Sequence, residues 1–156
     1  MISTLTEQSN FPALRLALAL LGKLDRILGR GAERVLQGAS SEQWELGDEI
    51  CRFITDRSAS GSGLESAVRS YIRTCHEHFK LQATLFRTGR YHISEIDGVH
   101  ASLYAEPEAM ESYLDGLLLT QVWWANHHAL VAMFRRFIDS VPSGARYLEI
   151  GVGHGL

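Results

Sequence analysis

The feature that most constrains this chain is its last nine residues, Leu148-Glu149-Ile150-Gly151-Val152-Gly153-His154-Gly155-Leu156. Three glycines stand at alternate positions behind an apolar segment and a carboxylate. Glycine has no Cβ, so it allows positive φ and lets a ligand lie close to the main chain. The residues in front read as a buried strand. Pro142-Ser143-Gly144 is turn chemistry, and Ala145 to Ile150 supplies aromatic and branched residues. The spacing also narrows the ligand. Dinucleotide sites use G-x-G-x-x-G, whose third glycine would fall at Leu156, whereas here it comes one residue early at Gly155. A dinucleotide oxidoreductase is therefore disfavoured.

The string Glu149-x-Gly151-x-Gly153-x-Gly155, with Leu148 and Ile150 as its strand, resembles the first motif of class I S-adenosylmethionine-dependent methyltransferases. The resemblance covers about 15 residues. It implies that the glycine turn passes beneath the methionine and ribose parts of the cofactor S-adenosyl-L-methionine, with the acidic residue nearby. Glu149, Gly151, Gly153 and Gly155 thereby become cofactor-binding candidates. His154 departs from the small or acidic residues often found at its place in the family.

A class I domain needs several alternating strands and helices, because parallel strands are joined by crossovers. Only one such strand is visible in these 156 residues. The expected architecture is therefore mainly α. A lid-like helical domain of about four helices spans residues 1–141, and residues 142–156 open an incomplete Rossmann-like α/β methyltransferase domain. Such a fragment is expected to be inactive alone and, with apolar faces exposed, to associate in solution.

Composition excludes other classes. A hydrophobic fraction of 46% and a charged fraction of 21% are those of a globular protein. The net charge of −3 offers no basic footprint for nucleic acid. Cys51 and Cys75 make neither a disulfide framework nor a metal-ligand spacing, which fits a reducing cytoplasm. The apolar stretch Leu14 to Leu21 is interrupted by Arg15 and is too short to span a bilayer. No membrane partner is expected.

Periodicity predicts the helices. The first runs from Phe11 to about Leu28 on the stripe Leu14, Leu18, Leu21, Leu24 and Leu28, and is ended by Gly29 and Gly31. A second follows a capping box formed by Ser40 and Gln43, burying Trp44, Ile50, Phe53 and Ile54. Ser58 to Gly63 reads as a loop. Ser62 and Glu65 make another capping box, opening a helix whose stripe is Leu64, Val68, Tyr71, Ile72, Cys75, Phe79, Gln82 and Phe86, as far as Gly89. Tyr91-His92-Ile93 and Val99 to Leu103 can pair as a short hairpin around Asp97-Gly98. Pro107 opens a last helix to about Asp139, with Gly116 as a bend.

That last helix carries the richest polar group: Gln121, Trp123, Trp124, Asn126, His127 and His128. On a continuous helix Gln121, Trp124 and His128 share a face with Leu117, Val131 and Phe134. They can line a pocket for a small-molecule methyl acceptor, or simply bond to neighbouring helices. His127 or His128 can also take a proton from that acceptor, although adjacent helical residues diverge by about 100° and cannot both face it. No catalytic residue is assigned. Cys75 and His78 share a face, but zinc needs three or four ligands, so no metal is expected. The methyltransferase resemblance further implies that a helical region ahead of the first strand serves as a lid or as a homodimer surface. The competing reading is a non-catalytic helical interaction module whose C-terminal tail only packs.

Overall fold

The computed structural model describes residues 10–57, 63–90 and 105–148. Six helices form among them: α1 Pro12–Leu24, α2 Arg26–Gln37, α3 Ser41–Arg57, α4 Gly63–Thr88, α5 Pro107–Trp123 and α6 Ala125–Ser140. Helices α1 to α5 surround one core, in which Leu14, Leu21, Cys51, Val68, Leu119 and Val122 are fully enclosed. Helix α6 adds only His128 to the buried set.

Several local signals act as expected. Ser40 and Gln43 form the reciprocal capping box, with Ser40 N–H donating to Gln43 Oε1 at 2.8 Å and Gln43 N–H to Ser40 Oγ at 3.3 Å. Pro107 sits at the first position of α5. Helix α4 ends at Gly89, whose φ of 67° suits a residue without a side chain. The Ser62 cap and the hairpin expected over Tyr91 to Leu103 lie outside the described residues.

Two expected helices are each divided. The first breaks at Asp25, which takes extended backbone angles and accepts hydrogen bonds from the N–H groups of Ile27 and Leu28 to cap α2. Gly29 and Gly31 then lie inside α2 instead of ending a helix. Gly29 is buried at the α1–α2 crossing, where an added Cβ would fall 2.6 Å from Gly22 Cα. Its lack of a side chain serves close packing, not a stop. The last helix breaks at Trp124, not at Gly116. Gly116 continues α5 and lets it approach α4, since a Cβ there would meet Thr74 Oγ1 at 2.6 Å and the Ser70 carbonyl oxygen at 3.1 Å.

The largest correction concerns the strand. Among the described residues every regular element is helical, and residues 145–148 form no strand. The Rossmann-like α/β element expected over residues 142–156 is therefore not shown in residues 142–148, and the remainder lies outside the described residues. A strand exists through the hydrogen-bond ladder it shares with a neighbour, and among the described residues no second extended segment offers one. After α6 the chain turns at Pro142 to Ala145, closed by the Ala145 N–H donating to the Pro142 carbonyl at 3.1 Å. Gly144 takes a φ of 83° in that turn. Tyr147 comes back beside Phe134, ring centres 6.2 Å apart, and Leu148 is 83% exposed.

Candidate functional site

Polar chemistry concentrates at the elbow between α5 and α6. Trp124 adopts extended angles, φ −105° and ψ 117°, and its N–H still closes the last turn of α5 on the Thr120 carbonyl. Its side chain is held from the other side, because the indole N–H donates to Tyr71 Oη on α4 at 3.1 Å. Tyr71 also packs edge-on against Trp123, ring centres 4.6 Å apart. Trp124 thus joins α4 to the elbow, which gives the helix a reason to break at that residue.

His127 lies against the Trp124 ring at 4.9 Å, and its Nδ1 is 2.7 Å from Thr120 Oγ1. The tautomer follows from donors and acceptors. Thr120 has one hydroxyl proton, and it goes to the Leu117 carbonyl at 2.6 Å, which can only accept. The imidazole must then donate Nδ1–H to Thr120 Oγ1, leaving Nε2 with a lone pair. Burial lowers the His127 pKa and favours this neutral ring. The Gln121 amide nitrogen stands 3.5 Å from Nδ1, a contact too long to compete with the 2.7 Å Thr120 bond.

The expected substrate residues therefore part company. Gln121 and Trp124 meet at the elbow with His127, all three half-buried. His128 is 2% exposed, and its Nε2–H is directed at the Val122 carbonyl. Its Nδ1 and the buried Trp123 Nε1 have no hydrogen-bond partner among the described residues. The shared face expected for Gln121, Trp124 and His128 required a continuous helix, and the break at Trp124 removes it. Glu149, Gly151, Gly153 and Gly155 lie outside the described residues.

Residues of α4 complete the surroundings. Tyr71, Cys75 and His78 share the face that meets the elbow, with His78 5.8 Å from the Trp124 ring. Tyr71 lies on the apolar stripe expected for this helix, and the i, i+4, i+7 spacing of these three side chains is a signal the sequence carries. Nothing comparable marked Thr120. Burial raises the Tyr71 hydroxyl far above the usual phenol range and the Cys75 thiol above its ordinary value, so both stay protonated hydrogen-bonding groups. The neighbouring His76 does not join them, because its Nε2 pairs with Asp25 at 2.9 Å. Among the described residues no group of three His, Cys, Asp or Glu side chains is placed to hold a metal ion.

The elbow can thus offer a neutral imidazole acceptor, an amide and aromatic walls to a small polar molecule. Among the described residues no helix is long and apolar enough to cross a membrane. No protein-family model, no curated protein and no solved structure matches this chain.

Proposed function

We propose that this chain belongs to an S-adenosylmethionine-dependent methyltransferase that acts on a small-molecule acceptor in the cytoplasm. The observation that carries the reading is the motif Glu149-x-Gly151-x-Gly153-x-Gly155, which resembles the cofactor-binding turn of such enzymes. In this chemistry the sulfonium makes the methyl carbon electrophilic, and the protein binds and aligns the acceptor for in-line attack. Gln121 and Trp124 would hold that acceptor. His127, fixed as the Nδ1–H tautomer by Thr120, would take the proton that a hydroxyl or amine acceptor gives up.

Equilibrium dialysis of labelled S-adenosylmethionine against the gene product expressed from its complete coding sequence tests the reading. Saturable binding is expected, weakened at least about tenfold by Gly153→Val, whose side chain would occupy the space of the cofactor. Absence of any binding by the unaltered protein would remove the proposal.

A second reading, a helical interaction module, is favoured by a different observation. Helix α6 turns Leu130, Met133, Phe134, Phe137 and Ile138 outward.

A further inference from the structure

Helix α6 is amphipathic in the wrong sense for a helix lying on a core. It meets the bundle through His127, which bonds to Thr120, through buried His128 and half-buried Val131, and through Arg135, whose guanidinium reaches Glu49 on α3 at 2.8 Å. On the far side stand Leu130, Met133, Phe134, Phe137 and Ile138, 56, 57, 36, 53 and 40% exposed. Steps of three and four residues place these five on one stripe. The charged residues of α6 are Arg135, Arg136 and Asp139, and at 100° per residue all three fall off that stripe. Tyr147 and Leu148, 53 and 83% exposed, extend the apolar surface beyond the turn.

We infer that this stripe is the interface of a homodimer, in which α6 of one copy packs against α6 of a second copy about a twofold axis. Area and symmetry carry this inference. The five side chains leave on the order of 500 Å² uncovered, near the upper end for the largest patch on a monomer. Two copies meeting about a twofold bury up to about 1,000 Å² through these residues, the least that a specific interface requires. A twofold contact brings each patch against itself. A stripe without charge meets its own copy with no like-charge approach, whereas a patch carrying Arg135 and Arg136 would repel itself. Residues 130, 134 and 137 also follow the four- and three-residue steps with which two helices interdigitate.

Sedimentation equilibrium of the 156-residue chain over roughly 1–200 μM tests this, a range suited to an interface at the weak end of the size scale. The weight-average mass is expected to rise from one copy to two and stop there. Phe134→Glu with Phe137→Glu should hold the mass at one copy throughout, with unchanged circular dichroism because both residues are exposed. Phe86→Glu, at an 87% exposed site on α4, should leave the dimer intact. A chain monomeric at every concentration overturns the inference. So does association that continues past two copies, that survives the α6 double substitution, or that is lost equally with Phe86→Glu.

Discussion

Asp48, a buried carboxylate on α3, ties two helices together across the sequence. Helix α1 begins without a side-chain cap of its own, at Phe11. The missing acceptor comes from α3, where Asp48 Oδ1 takes the N–H groups of Ala13 and Leu14 at 2.9 and 3.0 Å. Its other oxygen pairs with Arg52 at 2.8 Å, and the carboxylate is 1% exposed. A buried negative charge at a helix N-terminus is favoured by the dipole and by charge-assisted hydrogen bonds. Asp48→Ala leaves two amides without a partner and is expected to cost about 2–4 kcal/mol. Asp48→Asn keeps one acceptor oxygen and should cost about half as much, because only the charge and the Arg52 pair are lost. Urea denaturation of both variants checks the order, and equal stability of Asn and wild type would remove the charge from the account. Nothing near Asp48 in sequence marks its capping role, since the amides it caps lie 34 and 35 residues away. Ser40 and Gln43 were legible because both members of that capping pair sit within one turn.

At the scale of the element, glycine is where sequence reading went astray, and for an identifiable reason. Gly29 and Gly31 look alike as interruptions of an apolar stripe, but they do different things. Gly29 presses against the α1 backbone, while nothing lies within 4 Å of a Cβ added to Gly31. Substitution to alanine should therefore move stability in opposite directions. Gly31→Ala gains helix propensity and is expected to stabilise by about 0.5–1 kcal/mol. Gly29→Ala gains the same propensity but forces α1 and α2 apart at a contact between backbones, so a net loss of about 1–3 kcal/mol follows. Thermal melts of the two variants side by side decide the matter, and parallel shifts would show that the crossing is not tight. The break at Trp124 was unreadable for a related reason. It coincides with a hydrogen bond from the indole to Tyr71, 53 residues earlier, and a helical period carries no trace of that contact. The reach of the helices was clearer than their partition, because apolar stripes report which residues turn inward but not which neighbours interrupt the backbone.

For the molecule as a whole, the same long-range contacts set how stability responds to pH. Asp25 is held below the usual carboxylate range, chiefly by the Leu28 N–H and also by His76 of α4. A depressed carboxylate adds stability that is present above the unfolded value of 3.8 and is lost as pH falls through the folded value. His127 is lowered by burial, so the unfolded chain binds its proton more readily, and stability drops as pH falls below 6.5. Both groups weaken the fold on the acid side. On the alkaline side the sign reverses. Burial, with Asp48 nearby, pushes the Cys51 thiol from 9.0 up to about 12. Between those values the unfolded chain has already lost a proton that the folded chain keeps, so stability falls as pH rises. Cys75 and Tyr71 are raised in the same sense by burial. Thermal unfolding followed from pH 3 to 11 should give a plateau near neutrality with a decline on each side. Cys51→Ala should lower the plateau slightly through lost packing and make the decline above pH 9 shallower. An alkaline limb as steep in the variant as in the wild type would mean that Cys51 is not the group enclosed by the bundle, and the packing of α1 and α3 around it would have to be redrawn.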